Sequence, residues 1–281
     1  MGKVTVVGSG VMGKGIAYAF AISGYEVHVQ DISLENLRKA KEDIDALLDS
    51  SLEKGYLESN AYESAKKNLV FEPDLKKAAE GAELVVEAVI ERMDVKIDVF
   101  KQLDEICPPD TVLATNTSTM SPTEIGAQTS RPDKVIAMHF FNPVHKMKLI
   151  EVIRGLETSD TTVNFVHETA ARINKSTVEV NEFPGFVTSR MNCLIGNEAM
   201  YLLMEGVASA KDIDKAMKLG LNHPMGPLEL ADLVGLDTRL RNMEYLHATL
   251  GEKYRPCPLL VKYVKAGRLG RKSGRGFYEY N

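Results

Sequence analysis

Tryptophan is absent from this chain of 281 residues, and cysteine occurs only three times. Cys107, Cys193 and Cys257 are odd in number and far apart. They show neither a metal-ligand spacing nor a disulfide framework, which fits a reducing compartment. No apolar run approaches the ~18 residues that would cross a bilayer. Basic residues are not in excess: 34 Lys and Arg stand against 39 Asp and Glu, a net charge of −5, which argues against a nucleic-acid surface. No repeat and no low-complexity segment is found. A strand-like run already begins at Lys3, so no signal or transit peptide is expected at the start of this sequence. A cytoplasmic protein with no membrane and no nucleic-acid partner is therefore expected. What is present is ordinary for a globular chain, 44% hydrophobic and 26% charged, and long enough for one large core or two domains.

The informative feature lies at the start. The run Lys3-Val4-Thr5-Val6-Val7 leads straight into Gly8-Ser9-Gly10-Val11-Met12-Gly13. A second strand-like run, residues 26–30, ends at Asp31. Strand, G-x-G-x-x-G, helix, strand and acid form the dinucleotide fingerprint in its proper context. Gly8 permits the tight turn. Gly10 lets a pyrophosphate approach the backbone, and Gly13 lets the helix pack close to the sheet. The helix over about 11–23 points its N–H groups and positive end at the phosphates. Asp31 can accept both ribose hydroxyls and would repel a 2′-phosphate, so the expected cofactor is NAD. The plain alternative is a tight turn in some other α/β protein, with Asp31 as a helix cap.

The first half alternates strands and helices. Further strands are expected at 69–71, 84–89, 112–115, 134–140, 149–153 and 177–180. Ser33 can cap a long polar helix reaching about Lys54, followed by another near 59–68. Those two read as a helical pair inserted into the wound sheet. Ser121-Pro122-Thr123-Glu124 is a capping box with Pro at the first helical position. Phe183-Pro184-Gly185 marks a boundary, beyond which the pattern is helical throughout. The expected fold is thus a Rossmann-type doubly wound α/β sheet over residues 1–182, followed by an all-α domain over 183–281. The second domain is expected to carry the substrate cleft and the dimer contacts.

Hydride transfer from an alcohol needs a base for the hydroxyl proton, and histidine is the natural choice. Of the six histidines, His139 stands out. It lies near the carboxyl end of a hydrophobic strand, where ligands bind in open α/β sheets. A buried histidine is more often structural, so position alone leaves both readings open. Glu151, on the next strand, could hold the other ring nitrogen. Ser118 also follows a strand end, where Asn116-Thr117-Ser118 could equally be a plain turn.

Longer stretches carry a resemblance. They are VVEAVIERMDVK at 85–96, ATNTS at 114–118, HFFNPVHKMKLIEVIRG at 139–155, PGFVTSR at 184–190, AMKLGLNHPMGPLELADLVGLD at 216–237 and GRLGRKSGRGFYEY at 267–280. Over essentially its whole length the chain resembles the 3-hydroxyacyl-CoA dehydrogenase family, and within it the short bacterial 3-hydroxybutyryl-CoA dehydrogenases. The resemblance implies NAD-dependent, reversible oxidation of a (3S)-3-hydroxyacyl-CoA to a 3-oxoacyl-CoA by a homodimer. It implies that His139 is the catalytic base, that Glu151 is its carboxylate partner, and that Ser118 contacts substrate and cofactor. Asn142 would lie near the nicotinamide, and Glu91, Lys96 and Lys272 would be further NAD contacts. Lys54 would pair with coenzyme A phosphates, although by its chemistry alone it is one charge on a solvated face.

Two positions depart from that family's pattern. Many relatives carry Asn at the position of Ser189, where it helps hold the thioester oxygen. Ser189 can still donate but reaches less far. Asn192, three residues on along the helix face, is expected to take over that contact. Leu47 stands where some relatives have a serine facing coenzyme A. Two other readings remain beside the family reaction: a dehydrogenase of the same fold acting on a hydroxy acid without coenzyme A, and a non-catalytic NAD-binding protein.

Overall fold

Lys3–Val7 (β1) is a run of β-branched residues that enters the middle of a sheet, with Val4 and Val6 fully buried. The computed structural model describes residues 2–280. Within them the chain divides into two compact units, 2–182 and 183–280.

In the first unit the elements after β1 run α1 (Val11–Ile22), β2 (Glu26–Gln30), α2 (Leu34–Glu53), α3 (Ser59–Asn68) and β3 (Leu69–Glu72). Then come α4 (Leu75–Ala79), β4 (Leu84–Glu87), α5 (Met93–Ile106), β5 (Val112–Thr115), α6 (Pro122–Gly126) and β6 (Val135–Phe140). β7 (Leu149–Arg154), α7 (Asp160–Arg172) and β8 (Ser176–Asn181) complete it. The sheet has eight strands in the order β3-β2-β1-β4-β5-β6-β7-β8. Its first six strands are parallel, and β7 runs antiparallel to β6. The order reverses at β1 and β4, the crevice where doubly wound sheets bind ligands.

α1 is apolar on most sides, with Ile16, Tyr18, Phe20 and Ala21 all buried. A helix of that kind needs cover on more than one side. One side meets the sheet. The α2–α3 pair supplies the rest, through an α2 stripe of Leu37, Ala40, Ile44 and Leu48. The Tyr18 hydroxyl donates to Ser51 Oγ at 2.8 Å across that seam. The inserted pair therefore completes the burial of α1.

Ser33 and Ser121 cap α2 and α6 through their hydroxyls, as their spacing predicts. The strand expected over 84–89 stops at Glu87, because the Val89 N–H turns onto Glu87 Oε1 at 2.7 Å instead of continuing a ladder. The strand expected from 134 begins at Val135, since Pro132–Lys134 forms a 3-10 turn.

The second unit holds α8 (Thr188–Met204), α9 (Ala210–Gly220), α10 (Pro227–Val234), α11 (Leu236–Leu250) and α12 (Pro258–Lys265). Its core includes Met200, Leu228, Leu236, Met243 and Leu260. Asp232, 1% exposed, accepts from the Phe277 and Tyr278 N–H groups and the Tyr280 hydroxyl. That carboxylate pins the C-terminal segment, which makes two isolated bridges, Gly270 to Arg275 and Arg275 to Glu279. The unit is otherwise helical.

Candidate active site

The glycine loop has the shape that a dinucleotide requires. Gly8 sits at φ +98°, and a Cβ there would lie 2.6 Å from the Ala88 carbonyl oxygen. A Cβ on Gly13 would lie 1.8 Å from the Gly8 carbonyl oxygen, so only hydrogen fits where α1 meets the loop. Gly10 is the opposite case. A Cβ there would meet nothing within 4 Å, which leaves room beside the start of α1. No side chain caps α1 at Gly10. An open backbone approach with uncapped N–H groups suits a pyrophosphate. Val11, Ile32 and Ile90 are exposed apolar residues flanking the loop and the ends of β2 and β4.

Asp31 is held by the chain itself. Its Oδ2 accepts from the Ser9 N–H at 3.0 Å and the Ser9 hydroxyl at 2.8 Å. Its Oδ1 accepts from the Ser33 N–H at 3.0 Å and Asn36 Nδ2 at 3.4 Å. Burial pushes this carboxyl up, but those donors outweigh it and leave the group below the usual aspartate value. A depressed carboxyl contributes stability above its unfolded pKa of about 3.9 and loses that contribution as pH falls further. Asp31→Asn is therefore expected to lower the melting temperature at pH 6 and to match the wild type more closely below pH ~3.9. An equal difference at both pH values would contradict this.

His139 and Glu151 form the second cluster. They are direct partners in the β6–β7 register. Side chains of facing residues point to the same side of a sheet, and His139 Nδ1 lies 2.8 Å from Glu151 Oε2. Glu151 is wholly buried and His139 is 8% exposed. The ring of Phe141 packs at 4.4 Å between centroids from that of His139. Nδ1–H donating to the carboxylate fixes the tautomer with Nε2 as the basic nitrogen. Asn142 follows on the exposed turn after β6, joined to Pro143 by a cis peptide. Lys175 fastens that turn, donating to the carbonyl oxygens of Val144 and Met147. On the same turn, burial, then Lys146 and Lys175, push His145 down, so it is a poor rival for a cationic role.

A third cluster joins the ends of β4 and β5. Glu91 accepts from the Ser118 N–H at 3.1 Å and from the Thr117 hydroxyl. Lys96, from α5, is wholly buried between Glu87 and Glu91. The structure thus brings Glu91, Lys96 and Ser118 together. Sequence reasoning passed over Glu87, Thr115, Thr117 and Ser9. For Glu87 a signal was present, an acid ending an otherwise apolar strand.

The remaining residues lie on other elements. Lys54 is exposed at the C-cap of α2, one residue beyond the helix that was expected to carry it. Leu47, on α2, packs against the main core. Ser189 and Asn192 lie on α8, both partly exposed. Lys272 Nζ lies 2.7 Å from Asp237 Oδ2. Burial pushes Asp237 up, yet Lys272 and the backbone hold it below its usual value.

A doubly wound sheet, a glycine loop with an acid at the next strand end, and a buried histidine–carboxylate pair define an NAD-dependent oxidoreductase. Comparison with known proteins sharpens the class. The family model described as 3-hydroxyacyl-CoA dehydrogenase, NAD binding domain, matches residues 3–183, and that family's C-terminal domain matches residues 185–280. The chain is 50% identical over 279 residues to a probable 3-hydroxybutyryl-CoA dehydrogenase of Bacillus subtilis, covering 99% of this chain and 97% of that protein. It is 47% identical over 287 residues to a 3-hydroxybutyryl-CoA dehydrogenase of Clostridioides difficile, covering 99% of each. The crystal structure of (S)-3-hydroxybutyryl-CoA dehydrogenase from Ralstonia eutropha superposes with a TM-score of 0.95 at 43% identity, covering 99% of both chains. The chain belongs to the 3-hydroxyacyl-CoA dehydrogenase family.

Proposed function

We propose that this chain interconverts (3S)-3-hydroxybutyryl-CoA and acetoacetyl-CoA with NAD, using His139 as general base and acid. The buried His139–Glu151 pair at the carboxyl end of β6 carries the reading. Glu151 holds Nδ1, so Nε2 takes the proton of the 3-hydroxyl. When bound, NAD supplies the hydride acceptor. The Glu151 carboxylate stabilises the imidazolium that forms. In the reverse direction that imidazolium returns the proton to the developing alkoxide. Ser118 and Asn142 orient the reacting carbon, and Gly8, Gly10, Gly13 and Asp31 hold the dinucleotide, joined by Glu91 and Lys272, while Lys96, wholly buried, serves by holding Glu91. Ser189 or, in its place, Asn192 holds the thioester oxygen.

Residues 1–182 serve as the cofactor domain, and residues 183–281 carry substrate and dimer contacts. Val207, Leu219, Leu221 and Leu233 support a homodimer, as exposed apolar residues on the second unit. A cytoplasmic location fits the three unpaired cysteines. Among the described residues no helix is long and apolar enough to cross a membrane.

The test follows the loss of NADH when acetoacetyl-CoA or free acetoacetate is offered. Consumption with the CoA ester alone is the expected result, and equal rates with both would contradict the reading. Lys54→Ala is expected to raise KM for the CoA ester roughly 5-fold with kcat unchanged, the size of an exposed phosphate contact. An unchanged KM would remove Lys54 from the coenzyme A site.

A further inference from the structure

Lys96 has three N–H donors, and three carboxylate oxygens surround them: Glu87 Oε1 at 2.8 Å, Glu87 Oε2 at 3.0 Å and Glu91 Oε2 at 3.2 Å. Glu87 and Lys96 are both fully buried, whereas the Glu91 side chain is 28% exposed. The two oxygens of Glu91 divide their work. Oε2 faces the ammonium, and Oε1 accepts from the Thr117 hydroxyl and the Ser118 N–H. Thr117 Oγ1 in turn accepts from the N–H groups of Thr119 and Met120. Glu87 also reaches β5 directly, where the Thr115 hydroxyl donates to its Oε2 at 2.7 Å. The next residue, Asn116, donates its N–H to the Glu87 carbonyl and accepts from the Phe140 N–H, one residue past His139.

We infer that Glu87 is a positioning residue for the proposed reaction: acting through Lys96 and Glu91, it fixes the Thr117–Ser118 turn and so the placement of Ser118. This rests on the reaction proposed above. A buried ammonium that loses one of two carboxylates leans wholly on the other. Glu87→Gln keeps the shape but removes the charge. Lys96 then draws both oxygens of Glu91, and the turn at Ser118 loses its acceptor. Lys96 contributes by holding Glu91.

The test is a double-mutant cycle between Glu87→Gln and Ser118→Ala, read as kcat with acetoacetyl-CoA at saturating NADH, beside the melting temperature. Glu87→Gln is expected to lower kcat about 10-fold in the wild type and less than about 2-fold in the Ser118→Ala background. A purely structural role predicts the same loss in both backgrounds, and that result overturns the inference. If Glu87→Gln fails to fold, Thr115→Val repeats the cycle, since it removes one donor to Glu87 and conserves volume. About 3-fold is then expected with Ser118 present and none in the Ser118→Ala background. A wild-type protein with no turnover contradicts the proposed reaction and this inference together. Turnover with an additive cycle overturns this inference alone.

Discussion

His139→Gln is expected to bind NADH as the wild type does and to lose at least ~10²-fold in kcat, the scale of general acid–base catalysis. Glutamine is the informative replacement. Its neutral amide takes the place of Nε2, the ring nitrogen on the far side from the Nδ1 contact with Glu151 at 2.8 Å. The β6–β7 register is left in place, so the fold has little reason to fail. What the amide cannot do is take a proton. The loss therefore falls on kcat, while the glycine loop and Asp31, held by their own contacts, keep the cofactor site intact. Measuring kcat beside NADH affinity separates the two. Near-normal turnover, or loss of NADH binding in step with turnover, would remove His139 from the role.

Gly13→Ala is expected to abolish NADH binding and to destabilise the protein by about 1–3 kcal/mol, the range for overpacking. A Cβ there lies 1.8 Å from one backbone atom, the Gly8 carbonyl oxygen, and 2.9 Å from another, the Gly8 carbonyl carbon. Backbone cannot swing aside as a flexible side chain can. Gly10→Ala is the control. Its Cβ meets nothing within 4 Å, so the melting temperature should hold while NADH affinity falls. The two glycines thus separate a steric requirement of the fold from one of the ligand. Equal melting temperatures for both variants would contradict that division.

Much of the frame was legible in the sequence because its signals are local. The glycine loop, the Asp31 spacing and the hydroxyl caps at Ser33 and Ser121 each depend on a few neighbouring residues. The eight strand runs were readable because most strands of a parallel sheet are buried on both faces and read as continuous apolar stretches. Strand ends were less legible, because Glu87 turns the Val89 N–H away from a ladder through a side-chain contact.

The site was legible where one strand carried the argument and obscure where three elements met. His139 followed from its place at a strand end. Glu151 could be placed on the next strand, but facing His139 is a matter of register, which the intervening turn sets. The Glu87–Lys96 pair joins the end of β4 to a helix, and no short spacing rule reports it. The resemblance expected Lys96 as a cofactor contact, while its complete burial between two carboxylates is a tertiary fact. Lys272 was likewise recognisable only by resemblance, and its ion pair with Asp237 closes across 35 residues of chain.

The most direct test of the account offers (3S)-3-hydroxybutyryl-CoA, its (3R) isomer and free (3S)-3-hydroxybutyrate to the protein separately, with NAD, and follows the appearance of NADH. The account predicts NADH from the (3S) CoA ester alone. NADH from the free acid at a comparable rate, or from the (3R) ester in preference, would contradict it.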